Sequence, residues 1–336
     1  MNSILHLFVP IFWAILLILL VTPPLIKLAF RFGYVDDPQS AAHKIHDTPK
    51  PMIGGIAIGF VVLFLQWVTG NLQSLEVKSI LFSALVVLAC GILDDLRGLS
   101  VLGKLMGQIL ATTFVVVGGI YIRIFGQALF VNILVTFLWV VGITNAFNLV
   151  DSMDGLVVGL TAIASAFFIL VTVQANQQIL ANLSAILLGS SIGMSFFNGQ
   201  PARTFLGDAG AQFLGFVLAT LAIVYTPPGF PQPSSWFVPI LLLGVPIFDS
   251  SLVVISRLRR GLPFYQSGQD HTYHRLVKLG LSPSHAVMLM HIASILIGCL
   301  AFIALLQPPL IANLLFGMVV LTAIFALIWL EKMQGL

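Results

Sequence analysis

The chain has 336 residues, of which 59% are hydrophobic and only 8% charged, with a mean hydropathy of +1.06. A soluble domain carries about 25% charged residues, so this composition excludes a soluble globular enzyme, a disordered chain and a nucleic-acid binder, and leaves a polytopic membrane protein. The net charge of +3 implies no anionic polymer partner, because basic residues in such chains mostly set topology.

The chain opens Met1-Asn2-Ser3, with no basic stretch and no small-residue cleavage pattern, so the first apolar run predicts a retained helix. Apolar runs of about 15 to 27 residues, against the roughly 20 that a crossing needs, predict eleven spans. They are Ile4–Phe30, Gly54–Thr69, Ser79–Leu93, Leu102–Gly118, Leu129–Thr144, Leu156–Val173, Ile179–Phe196, Ala211–Tyr225, Trp236–Ser256, His285–Leu306 and Leu310–Leu330. No ten-residue alternating pattern supports a barrel, so the expected fold class is all-α, a single transmembrane domain over 1–336. Cys90 and Cys299 both lie in apolar runs, which predicts packing residues and no disulfide.

Thirteen of the fifteen Lys and Arg residues follow odd-numbered spans; only Lys78 and Arg123 fall on the other side. The positive-inside rule then predicts an outer N-terminus and a cytoplasmic C-terminus. The acids segregate the same way, Glu76 alone lying outside, although acids set no topology. The chemistry is therefore expected in cytoplasmic loops 31–53, 94–104, 145–155, 197–210 and 257–284.

Asp94-Asp95 closes the third span, where carboxylates oppose the helix dipole at about 0.3–1 kcal/mol each. On a helix, adjacent side chains point about 100° apart, which predicts different roles for the two acids. Lys104, before the next span, is placed either to hold an anion or to snorkel. In Asn145-x-x-Asn148-x-x-Asp151-x-x-Asp154, polar residues recur every third position, so helical neighbours Asn148, Asp151 and Asp154 are expected to face one another. Amide and carboxylate oxygens suit a hard divalent cation. Asp208, between Gly207 and Gly210, either caps the following helix or meets a ligand that the glycines let approach.

Arg257-Leu258-Arg259-Arg260 leads to Asp270-His271-Thr272-Tyr273-His274-Arg275. Zinc would want a third nitrogen or sulfur ligand, so His271 and His274 suit phosphate contact or acid–base work. Asp249, inside the ninth span, is expected to be functional or paired. Together these groups form a divalent-metal and polyanion inventory, with Mg²⁺ or Mn²⁺ favoured and arginines suited to phosphate. A cation- or proton-coupled transporter is the rival reading. Transporters place coupling acids near the midplane, often with repeats, whereas here the acids crowd one face and no repeat is visible.

At these residues the sequence resembles the polyprenyl-phosphate N-acetylhexosamine-1-phosphate transferases, glycosyltransferase family 4. The resemblance runs from about Val35 to Leu279. It is carried by His46 with Pro49-x-Pro51-x-x-Gly54-Gly55, Asp94-Asp95, Asn145 to Gly155, Phe205-Leu206-Gly207-Asp208 and a basic loop with a histidine motif. It implies transfer of a sugar-1-phosphate from a UDP-sugar to undecaprenyl or a related polyprenyl phosphate, with release of UMP at the cytoplasmic face of the plasma membrane. By resemblance, Asp94, Asp95 and Asp208 are catalytic, and Asp208 and Asn148 contact Mg²⁺. Lys104 lies by the lipid phosphate, and Asp151 and Asp154 shape the nucleotide pocket. Arg257, His271 and His274 cover the sugar and diphosphate, and a homodimer is implied. Ser152, Tyr273 and Met52 depart from the family pattern, where glycine, histidine and a basic residue are common. The missing triple histidine favours a plain N-acetylhexosamine, with N-acetylglucosamine first, over a muramoyl-peptide donor.

Overall fold

The computed structural model describes residues 5–38, 48–225, 235–263, 268 and 270–333. His46 and Asp47 lie outside the described residues. Among the described residues thirteen helices follow in chain order: α1 Phe8–Phe32, α2 Gly54–Val68, α3 Leu75–Arg97, α4 Val101–Val117, α5 Leu129–Val150, α6 Leu156–Gln174, α7 Gln178–Asn198, α8 Gly207–Val224, α9 Val238–Leu242, α10 Gly244–Arg259, α11 Thr272–Lys278, α12 Pro283–Leu305 and α13 Pro309–Met333. The one strand pair among the described residues is a two-residue antiparallel ribbon, β1 (Val35–Asp36) with β2 (Lys50–Pro51); Val35 lies opposite Pro51 and Asp36 opposite Lys50. The protein is all-α and polytopic. Among the described residues eight helices are long and apolar enough to cross a membrane, and α2 and α4 are shorter apolar helices.

A helix is the form such sequences take because hydrocarbon offers backbone amides no other partner. Starts and stops are local. Ser74, Ser100 and Ser282 cap α3, α4 and α12 through their hydroxyls, each accepting the amide three residues on. Gly98 ends α3 in the left-handed region at φ 65°, its amide donating to Asp94 O at 2.7 Å; this stops the helix just past the acid pair.

Three expectations on boundaries need correction. The fifth span runs on to Val150, past Thr144, so Asn145 and Asn148 are helical. The helix stops there, and Asp151 to Gly155 form a turn. The three-residue spacing therefore does not stack Asp151 on Asp154. The ninth span is broken at Leu243 into α9 and α10. Pro246 brings no amide to continue the ladder across that point.

The most enclosed helix is α8, whose apolar window is 78% buried, while α13 is 6% buried on the periphery. Around α8 pack α2, α3 and α5; α7 packs on α6 and α1. Small residues allow the tightest of these contacts. A Cβ at Gly55 would collide with the backbone of Gly210, and one at Gly91 with that of Ala209. Thus α2 and α3 lie directly against the first turn of α8.

Candidate active site

The C-terminal ends of α3 and α5 and the N-terminal ends of α4 and α8 meet at one end of the bundle. Lys104 on α4 stands between two carboxylates: its ammonium pairs with Asp94 and with Asp208 Oδ2, the latter at 2.6 Å. Asp94 is buried, and its other oxygen accepts the Leu99 amide at 2.7 Å.

Asp95 points elsewhere, as the helical angle requires. Its Oδ1 accepts the Asp208 amide at 2.8 Å, and its Oδ2 accepts the Tyr34 hydroxyl at 2.7 Å and the Ala209 amide at 3.4 Å. Asp208 therefore does not cap α8: the N-cap position is Leu206, and the Asp208 carboxylate pairs with Lys104 instead. The cap comes from Asp95, 113 residues earlier in the chain, and satisfies orphan amides at a helix N-terminus. Burial, reinforced by the Asp95 charge, raises the Tyr34 phenol above its ordinary value and keeps it a donor. The glycines beside Asp208 face protein, not ligand: Gly207 lies against the Asp95 carboxylate and Gly210 against Gly55.

The Thr204–Gly210 segment is strung on the chain that leaves β2. Thr204 Oγ1 donates to Pro51 O at 2.7 Å, the Phe205 amide to the same oxygen at 2.8 Å, and the Gly54 and Gly55 amides to Phe205 O and Leu206 O at 3.0 Å each. The Pro51–Gly55 motif thus positions Asp208. Met52, one of the departures, packs with Ala29, Tyr34 and Ile53.

On α5, Asn145 is tied into a buried amide group. Its Nδ2 donates to Gln108 Oε1 at 2.6 Å, and Gln108 Nε2 donates to Gln212 Oε1 at 3.0 Å. One turn on, the Asn148 carboxamide faces Asp208, while its buried Oδ1 has no hydrogen-bond partner. Beyond the helix, burial together with the charges of Asp208, Asp95 and Asp154 holds the Asp151 carboxyl well above the carboxylate range. Asp154 turns toward the α7–α8 connection, where its Oδ2 accepts the Ala202 amide at 2.9 Å.

The histidine segment is buttressed from three sides. Arg257 Nε pairs with Asp270 at 2.9 Å and Arg260 with its other oxygen at 2.6 Å; Arg257 is buried. Arg275 donates to Asp270 O at 3.0 Å, Ser256 Oγ at 2.9 Å and Leu330 O at 2.8 Å, and pairs with Glu331 at 2.6 Å. Asp249 is paired, as its place in a span demands: Oδ2 meets His271 Nδ1 at 2.7 Å, and Oδ1 accepts the Thr272 amide at 2.6 Å. Tyr273 Oη lies 2.9 Å from His274 Nε2 and beside the Ser152 hydroxyl. Two departures from the family pattern therefore sit together. Burial, aided by the nearby Lys278 ammonium, lowers His274 to about 4, leaving it neutral near pH 7.

Tyr34, Gln108, Gln212 and Asn198 escape the sequence reading. Asn198 holds two turns, its Oδ1 accepting the Gly155 amide at 3.2 Å and its Nδ2 donating to Thr204 O at 3.0 Å. For the three amides the available signal was an uncharged polar group inside an apolar run, which is costly without a partner.

Among the described residues no three His, Cys, Asp or Glu side chains converge as a metal cage. What converges is one carboxylate and one carboxamide whose buried oxygen lacks a partner. That suits Mg²⁺, which is commonly held by one or two carboxylates plus substrate phosphates. Acidic oxygens, a single ammonium and a carboxamide meet at one end of an apolar bundle, an arrangement chemically able to handle an anion.

Comparison with known proteins agrees with that chemistry. A model of glycosyl transferase family 4 matches residues 77–226. A probable undecaprenyl-phosphate N-acetylglucosaminyl 1-phosphate transferase of Bacillus subtilis is 30% identical over 301 residues, 86% of this chain and 82% of the relative. A decaprenyl-phosphate N-acetylglucosaminephosphotransferase of Mycobacterium tuberculosis is 29% identical, covering 91% and 85%. An undecaprenyl-phosphate alpha-N-acetylglucosaminyl 1-phosphate transferase of Escherichia coli is 27% identical, covering 83% and 78%. The chain belongs to glycosyl transferase family 4.

Proposed function

We propose that this protein transfers N-acetylglucosamine-1-phosphate from UDP-N-acetylglucosamine to a polyprenyl phosphate, undecaprenyl phosphate first, releasing UMP. The observation that carries the reading is the meeting of Asp94, Lys104, Asn148 and Asp208 from four helices at one end of the bundle; the relatives' names supply the reaction. In this reading eleven segments cross the plasma membrane, α9 and α10 together forming the ninth. The N-terminus is outside, and the site opens to the cytoplasm as a single domain.

Two anions must meet, so the barrier is lowered by positioning and charge compensation. A lipid phosphate oxygen attacks the phosphorus that bears the sugar; the bond to the UMP oxygen breaks, and UMP leaves as the anion. The lipid phosphate is ionised near pH 7, so Asp94 serves to position rather than to deprotonate it. Lys104, held between Asp94 and Asp208, supplies the positive charge that the phosphate meets. Asp95 acts at one remove, fixing the start of α8 on which Asp208 rides. Asp208 and Asn148 would hold Mg²⁺, which when bound offsets charge on the diphosphate oxygens. The turn from Asp151 to Asp154 shapes the nucleotide pocket, and the segment from Arg257 to His274 covers the sugar and diphosphate. Arg257 is already committed to Asp270, so it orders that segment instead of reaching for phosphate.

The test uses purified protein with undecaprenyl phosphate and Mg²⁺, and UDP-GlcNAc, UDP-GalNAc and UDP-MurNAc-pentapeptide supplied separately. Lipid-dependent UMP release from UDP-GlcNAc, absent in Asp208→Ala, supports the reading. A folded wild-type protein that releases no UMP from any donor refutes it. No observation favours the transporter.

A further inference from the structure

Asp249 is fully buried in α10 and far in sequence from the acids of the site. Both its oxygens are used on one short segment. Oδ1 accepts the Thr272 amide at 2.6 Å, which fixes the start of α11, and Oδ2 lies 2.7 Å from His271 Nδ1. A carboxylate oxygen facing a ring nitrogen needs a proton between them, so Nδ1 carries it and donates. The His271 ring is further stacked on Tyr273, with centroids 5.6 Å apart and planes 11° apart. One carboxylate thus sets the backbone, the ring and the tautomer of His271.

We propose that Asp249 is a positioning residue for the transfer reaction. It locks His271 as the Nδ1–H tautomer, so that Nε2 is the atom turned to the substrate diphosphate and the ring can carry a second proton there when the anion binds. The inference rests on the function proposed above. Other ways of using Asp249 are closed off by geometry: it pairs with no Lys or Arg among the described ion pairs, and it is shut off from solvent. The arrangement follows the general logic of a buried carboxylate orienting an imidazole.

Asp249→Asn is the informative change. The asparagine keeps an oxygen for the Thr272 amide, so a role limited to starting α11 predicts near wild-type activity. Its NH₂ faces Nδ1, however, and forces the opposite tautomer. We expect Asp249→Asn, His271→Gln and the double variant each to lose about 100-fold in UMP release, the scale of one lost charge-stabilising donor, with no further loss in the double variant. In ¹⁵N-histidine spectra, the His271 signal, assigned by its loss in His271→Gln, should report a protonated Nδ1 in the wild type. Asp249→Asn within twofold of wild type, losses that multiply in the double variant, or a wild-type His271 with bare Nδ1 would each overturn the proposal. The last measurement stands even if Asp249→Asn fails to fold. Absence of UMP release by wild type would refute the reaction while leaving the tautomer assignment to the spectrum.

Discussion

Lys104 is shared by Asp94 and Asp208, so its charge compensates both acids before any substrate arrives. Lys104→Ala should lower UMP release by about 100-fold or more, while Lys104→Arg, a planar fork in place of a compact ammonium, should recover only part. Chelation should abolish release and added Mg²⁺ restore it; Asn148→Ala should raise the Mg²⁺ needed for half-maximal rate by about tenfold. Asp151 makes a prediction of opposite sign for stability and activity. Its folded-state pKa is raised, so the native state binds its proton more tightly than the unfolded chain does. That contribution is full below the unfolded value and is lost as pH rises through the folded one. Asp151→Asn should therefore melt higher than wild type at pH 7–8, with the gap closing toward pH 4, while turnover falls. The Asp94-Asp95 pair was legible in the sequence because two acids at a helix C-terminus oppose the dipole. The partners of Asp95 were not: Tyr34 is 61 residues away and the Asp208 amide 113, and no local pattern encodes such a meeting.

At the scale of the element, the N-terminus of α8 is the piece on which the site depends. It is held by Asp95 from α3 and by direct backbone approach of Gly55 and Gly91. Gly55→Ala or Gly91→Ala should cost at least the ~1–3 kcal/mol typical of overpacking, seen as a lower melting temperature in detergent, with loss of UMP release. Gly142→Ala, where a Cβ would meet nothing within 4 Å, should leave both unchanged. Hydrophobic runs made the body of each of these helices readable, while α3 and α8 extend by about one polar turn beyond them. The end of α5 was misplaced because Asn145 and Asn148 look like loop residues. Asn145 is instead satisfied inside the bundle by Gln108 of α4, which is itself bonded to Gln212 of α8, so the helix runs on through both asparagines. Gly207 and Gly210 suggested a ligand for the same reason: sequence shows that a glycine leaves room, not what fills it.

For the whole molecule, the lopsided distribution of Lys and Arg predicts two faces of different character. In a Cys90→Ser, Cys299→Ser background, a cysteine at Ser100 or Ser152 should react with an impermeant maleimide only from the cytoplasmic side, and one at Gln127 only from the outer side. Labelling of Ser100 and Gln127 from the same side would break the eleven-span order. The all-α, many-helix plan was legible because apolar runs recur along the whole chain. The way its far end supports the site was not. Arg275 reaches both Leu330 O and Glu331, and these sit near the close of α13, a helix otherwise largely exposed. The last turn of α13 is therefore a bracket on which the histidine segment hangs. A stop codon a few residues before Leu330 would delete no atom of the acid cluster, yet it would leave the mount of His271 without its fastening.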